Sequence, residues 1–124
     1  MKVLETTKAP GAIGPYSQGF EVNGFVFTSG QIPLVPETGK LIGDGIEEQT
    51  EQVLKNLEAV LAANHMTFAN VVKTTVFITD LADFATINSI YATRFPQDPP
   101  ARSCVQVAAL PAGAKVEIEL IAAK

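Results

Sequence analysis

The sequence predicts an α+β sandwich, a β-sheet with two helices packed on one face. Three observations predict it. Several short stretches alternate apolar and polar residues with the period of a strand, and two longer stretches repeat apolar residues with the period of a helix. The order along the chain is strands, helix, strand, helix, strands, an arrangement that packs helices against a sheet.

Each element follows from local chemistry. Within residues 17–31, Phe20 and Val22 precede Asn23-Gly24, and Phe25, Val26 and Phe27 follow it. Asn-Gly suits the left-handed dihedrals of a two-residue hairpin turn, so this segment predicts two strands around a tight turn. Residues 33–45 carry two prolines and three glycines and read as a loop. Asp44 with Glu47 three residues later has the spacing of a capping box and predicts the start of a helix. Ile46, Val53, Leu54, Leu57, Val60 and Leu61 then form its apolar stripe, which should stop near Asn64 with His65 just beyond. Val71 to Thr79 is β-branched and predicts a strand. Asp80 can cap a second helix with apolar members Leu81, Phe84, Ile87 and Tyr91, followed by Phe95 and ended by Pro96, Pro99 and Pro100. Arg102 to Val107 and Lys115 to Ala122 predict two last strands, joined through a turn around Pro111 and Gly113.

Strand parity assigns faces. Val116, Ile118 and Leu120 oppose Lys115, Glu117 and Glu119. Ser103, Val105 and Val107 oppose Arg102, Cys104 and Gln106, and Val72, Val76 and Ile78 oppose Lys73, Thr75 and Phe77. One face is a helix-facing core, and the other is mixed. Two helices cover only one face, so an interface that also holds a polar site is expected on the second. This reading sets Arg102 and Glu117 on the same side.

Composition narrows the function. The chain has 124 residues, which suits one domain over 1–124, and no repeat or linker divides it. Charged residues are 18% of the chain, below the quarter or so usual for a soluble domain, which points to surface covered by another subunit. The net charge of −4 and the absence of a Lys/Arg run argue against a phosphate-tracking surface, so no nucleic-acid partner is expected. One cysteine excludes an internal disulfide, and one cysteine with one histidine leaves no ligand cluster, so no metal is expected. No apolar run is long enough for a membrane span, and Met1-Lys2 does not open a signal peptide. The expectation is a soluble, cytoplasmic protein.

Several residues are candidates for chemistry. Arg102 could anchor a carboxylate through its planar, permanently charged guanidinium, or form an ordinary surface ion pair. Glu117 could act as a general base that positions water, or be a solvated strand residue. Cys104 has no base near it in sequence to generate a thiolate, and a catalytic pair with His65 is not expected. The glycine-rich segment 11–19 lacks the Gly-Lys-Ser/Thr ending of a phosphate loop and either turns the chain or presents Tyr16 to a ligand. Ser29, in Thr28-Ser29-Gly30-Gln31, is outside any Gly-x-Ser-x-Gly elbow.

Six stretches together carry a resemblance. They are Gly14-Pro15-Tyr16-Ser17-Gln18-Gly19, Thr28-Ser29-Gly30-Gln31-Ile32-Pro33, Val72-Lys73-Thr74-Thr75-Val76-Phe77, Asp83-Phe84-Ala85-Thr86-Ile87-Asn88, Pro100-Ala101-Arg102-Ser103-Cys104-Val105 and Val116-Glu117-Ile118-Glu119. In this order they resemble the RidA (YjgF-type) family across nearly the whole chain. The resemblance implies a chorismate-mutase-like fold with a mixed sheet, assembled as a homotrimer with sites between subunits. It implies a cofactor-free, metal-independent deaminase that hydrolyses 2-iminobutanoate and 2-iminopropanoate, or their enamine tautomers, to 2-keto acids and ammonia. Arg102 then binds the carboxylate and Glu117 positions or activates water. Tyr16, Ser29, Gly30, Asn88 and Cys104 line the pocket. Two other readings stay open at this point: a keto-acid-binding regulator or chaperone-like trimer without turnover, and an endoribonuclease.

Overall fold

A computed structural model describes residues 1–124. Six strands and two helices follow in the order β1 (Lys2–Leu4), β2 (Gly19–Val22), β3 (Phe25–Thr28), α1 (Ile46–Ala62), β4 (Val71–Ile78), α2 (Phe84–Tyr91), β5 (Ala101–Gln106) and β6 (Val116–Ala123). They form one sheet of order β1-β2-β3-β6-β4-β5. All neighbours pair antiparallel except β4 and β5, which are parallel. A parallel pair needs a crossover, and α2 supplies it. Both helices lie on one face, where Val53, Leu54, Leu57 and Leu61 of α1 and Ile87 and Tyr91 of α2 join Val76, Ile78, Val116, Ile118 and Leu120 in a single core cluster. No helix is long and apolar enough to cross a membrane.

The predicted hairpin forms as β2 and β3, with Asn23 at φ 52° and Gly24 at φ 82°. Four details differ from the sequence-based expectation. The N-terminal segment adds β1 on the sheet edge beside β2. Helix α1 is capped one residue later than Asp44 and Glu47 suggest: Gly45 is the N-cap, and its N–H donates to Oε1 of Glu48 at 3.1 Å. Asp44 instead offers its carbonyl to the Lys115 ammonium at 2.6 Å. A bulge between Val71 and Lys73 turns Val72 outward and Val71 inward, which parity alone cannot foresee. The second helix begins as a 3₁₀ turn over 81–83, capped by the Asp80 carboxylate on the Ala82 N–H at 2.9 Å. That break leaves Leu81 and Phe84 exposed while Ile87 and Tyr91 enter the core.

Register corrects the face assignment of the candidate residues. Arg102 pairs with Thr74 and Cys104 with Val76, both on the helix-covered face, so Arg102 and Cys104 belong to that face. Glu117 pairs with Phe77, on the open face. Arg102 and Glu117 therefore lie on opposite faces, not on one. Alternation within β5 and β6 follows the sequence and fails in β4 only at the Val72 bulge, but relative parity between strands depends on register, which a sequence does not display.

Helix α1 ends with hydrogen bonds from His65 N–H to Ala62 and from Met66 N–H to Leu61, the pattern of a Schellman motif. His65 occupies its left-handed position at φ 57°. An L-residue is disfavoured there by roughly 1–2 kcal/mol, partly offset by glycine's greater unfolded entropy. His65→Gly should therefore stabilise the fold by about 0.5–1 kcal/mol in a urea titration. Lower stability would show that the exposed imidazole makes a compensating contact.

Candidate active site

The first cluster of polar groups lies where β3 leaves the sheet. β3 pairs with β6 from Phe25 to Phe27, and Gln31 pairs again with Ile118, so residues 28–30 detour away from β6. The Thr28 hydroxyl fills the gap by accepting the Leu120 N–H at 3.0 Å. Ser29 is clamped on the other side, its N–H on the Gln18 carbonyl at 3.0 Å and its hydroxyl on the Ser17 carbonyl at 2.5 Å. Its hydroxyl proton is thus committed, and its free lone pair can accept from a ligand.

Glu117 projects from β6 into this detour. A Cβ built on Gly30 would overlap the Glu117 carboxylate, with Cδ only 2.8 Å away. Gly30 is therefore needed for close approach rather than for an unusual dihedral. No donor of the chain bonds the Glu117 carboxylate, and burial, reinforced by the neighbouring Glu119, raises its pKa above the ordinary value. Glu117 and Gly30 share a cleft of about 350 Å³ with Tyr16, Ser29, Ile13, Ile32 and Pro111. Tyr16 is half-exposed, and its phenolic oxygen accepts the Ile13 N–H at 3.4 Å, which leaves its own proton to donate. A larger cleft of about 610 Å³ also touches Tyr16 and is lined by residues 3–7, Ala9, Gly11, Ala12, Ser17, Gln18 and Pro36. Its ionisable lining groups are Glu5 and Tyr16, so it has no cation to hold an acid.

The second cluster lies at the sheet edge on the helix side. Phe84, Asn88 and Tyr91 are spaced i, i+4, i+7 on α2 and form one stripe facing β5. Arg102 lies along it. Its Nη1 donates to the Asn88 side-chain oxygen at 2.7 Å. Its guanidinium carbon is 4.9 Å from the Tyr91 ring centroid and 5.5 Å from that of Phe84. The one ion pair in the chain is Arg94–Glu51, so Arg102 has no carboxylate partner. Cys104 follows on the same face, half-buried. Burial raises its thiol pKa more than nearby Arg102 lowers it, which keeps it a thiol at neutral pH. No group of three or more His, Cys, Asp and Glu side chains could hold a metal.

The structure thus brings together Tyr16, Ser29, Gly30 and Glu117 in one cluster, and Asn88, Arg102 and Cys104 in another. Sequence reasoning missed the rings of Phe84 and Tyr91 beneath Arg102. The i, i+4, i+7 spacing was visible, but it reads equally as a core stripe.

The family described as Endoribonuclease L-PSP matches residues 6–124. The chain belongs to this YjgF/RidA family. Among its relatives, Reactive Intermediate Deaminase A, chloroplastic, of Arabidopsis thaliana is 55% identical over 98% of this chain, which spans 65% of that relative's length. The 2-iminobutanoate/2-iminopropanoate deaminase of Mus musculus is 53% identical over 98% of this chain and 90% of its own. The crystal structure of E. coli TdcF with bound serine is 48% identical and superposes with a TM-score of 0.94, covering 100% of this chain and 99% of that one. The RidA-type fold is therefore shared along the whole chain, including the segments that build both clusters.

In this RidA-family chain the raised pKa of Glu117 has a consequence for stability. A carboxyl whose folded pKa lies above its unfolded value favours folding when protonated, and that contribution is lost as pH rises through the folded pKa. At pH 7 the ionised Glu117 therefore opposes folding. Glu117→Gln should raise Tm at pH 7, and the gain should disappear as pH falls below the ordinary carboxylate range. Equal melting temperatures at both pH values would remove the desolvation argument.

Proposed function

We infer that this chain is a reactive-intermediate deaminase that hydrolyses small 2-imino acids, such as 2-iminobutanoate and 2-iminopropanoate, to 2-keto acids and ammonia. The observation that supports it most strongly is the Arg102 guanidinium, half-buried, held in place and unpaired with any carboxylate of the chain. Such a group suits a planar carboxylate, which it can bind through two parallel N–H bonds. The names of the mouse and plant relatives point to the same substrate class.

In this reading Arg102 fixes the substrate carboxylate, Asn88 and Cys104 line that end, and Tyr16, Ser29 and Gly30 line the other. Glu117 holds one water against C2. As the water oxygen bonds to C2, its proton passes to Glu117 and the C=N π pair moves to nitrogen. Glu117 then returns that proton to nitrogen; as the C–N bond breaks and ammonia leaves, the hydroxyl oxygen's pair forms the C=O bond of the keto acid and the hydroxyl proton passes to the Glu117 carboxylate and on to solvent. A protonated imine is already electrophilic, so orientation and one base suffice, without a cofactor. The raised pKa strengthens Glu117 as a base near neutral pH.

The two half-sites lie on opposite faces, so one chain alone does not join them. We therefore propose a homotrimer in which the open face of one protomer receives the β5 edge of the next. The open face supports this: Phe25, Phe27 and Val105 are 45%, 43% and 44% exposed on it. The net charge of −4 supports a small acid held locally over RNA as the substrate. A reducing, cytoplasmic setting fits the free thiol of Cys104.

Two variants separate binding from turnover. Arg102→Ala should lose turnover and weaken 2-ketobutyrate binding by more than tenfold, since removing one member of a buried charge pair costs about 2–5 kcal/mol. Glu117→Gln should lower turnover by about 10²–10⁴-fold and leave keto-acid affinity unchanged or slightly tighter. The assay generates imine with a threonine dehydratase and times ammonia release, and calorimetry gives the affinities. Full turnover by Glu117→Gln would assign the proton to another acceptor.

A further inference from the structure

Arg102 is a long, flexible side chain on a strand at the edge of the sheet, and an unpaired guanidinium there would ordinarily sample many rotamers. Three contacts restrict it. Asn88 fixes one end of the guanidinium, and the Tyr91 and Phe84 rings lie within 6 Å of its carbon, close enough for cation–π attraction. The Tyr91 ring is itself anchored, its hydroxyl bonded to Thr74 Oγ1 at 2.7 Å in a buried contact. Thr74 pairs with Arg102 across β4 and β5, so the anchor and the cation share one register position. Tyr91 also packs on Phe95 at 4.7 Å between centroids, which stiffens the platform from behind. None of these groups carries negative charge. They hold the guanidinium without neutralising it, where an aspartate or glutamate would compete with the ligand.

We propose that Phe84 and Tyr91 are positioning residues that form an aromatic cradle for Arg102, presenting its free N–H groups to the substrate carboxylate. This rests on the reading of Arg102 as carboxylate binder. The cradle explains why the chain places two rings and an amide on one stripe of α2, where packing alone would need only apolar bulk. It predicts that ring electronics, not merely ring shape, set the affinity for the acid.

Phe84 allows a clean test because it is 39% exposed and outside the core cluster. The experiment measures 2-ketobutyrate binding by calorimetry in wild type, Arg102→Ala, Phe84→Leu and a series with one to five fluorines on the Phe84 ring. Kinetics and melting temperature are recorded alongside. Fluorination empties the ring face of negative potential while nearly keeping its shape. Loss of a partly exposed cation–π contact of about 0.5–1 kcal/mol corresponds to a two- to fivefold weaker Kd. Phe84→Leu should show that weakening, with KM raised and kcat changed less than twofold, and Kd should rise stepwise with fluorine number at unchanged Tm. Equal affinity across the fluorine series, with wild type binding normally, would overturn the cradle and leave the carboxylate site intact. Tighter binding on fluorination would also overturn it, since it would mean that the ring faces the ligand anion rather than the cation. No binding by wild type, or equal binding by wild type and Arg102→Ala, would overturn the carboxylate reading and the cradle with it.

Discussion

Strand β4 stands between β5 and β6, and the pleat of these three strands places Arg102 and Glu117 on opposite faces of the sheet. The architecture of the site depends on this separation. Here neither meets an opposite charge of its own chain, and each stays available for a ligand. The arrangement also explains the mixed open face. Two helices cover one side of the sheet, and the other carries exposed phenylalanines on the same face as a half-buried carboxylate, which fits the proposed contact with a second protomer.

Each proposed half-site is built by a device that tolerates an unpaired charge. Around Glu117 the device is space: residues 28–30 part from β6, the Thr28 hydroxyl satisfies the ladder, and Gly30 supplies room for the carboxylate. Around Arg102 it is polarisation without charge, through one amide oxygen and two ring faces. Both cost stability. A desolvated carboxylate without donors opposes folding at neutral pH, and a guanidinium without a counter-ion forgoes the pairing that Arg94 finds with Glu51 at 2.8 and 2.9 Å. The large apolar core between α1 and the sheet can bear such local penalties.

Much of this was legible in the sequence, for identifiable reasons. The α1 stripe, the Asn23-Gly24 turn and the alternation of β6 are local patterns with one physical solution, and each stands where expected. The six motifs identified the RidA family, and with it the deaminase class of its relatives. Errors arose where a non-local partner decides. The bulge at Val72 is made by β6 pairing, and β1 exists because β2 offers it an edge. Register, not parity, separates Arg102 from Glu117. The rings under Arg102 were hidden differently: Phe84, Asn88 and Tyr91 show their spacing openly, but apolar residues on a helix give no sign of whether they face a core or a cation.

In the proposed trimer one working site draws Glu117 from one chain and Arg102 from another. Mixing two inactive proteins tests it directly. Arg102→Ala and Glu117→Gln are each purified, then unfolded together in equal amounts and refolded, and imine hydrolysis is timed. Random assembly of a ring in which each site takes one half from each neighbour should restore about a quarter of wild-type turnover per chain, because that fraction of sites receives both intact halves. Turnover no higher than that of the two variants refolded separately would contradict the account and place both groups in a site made by a single chain.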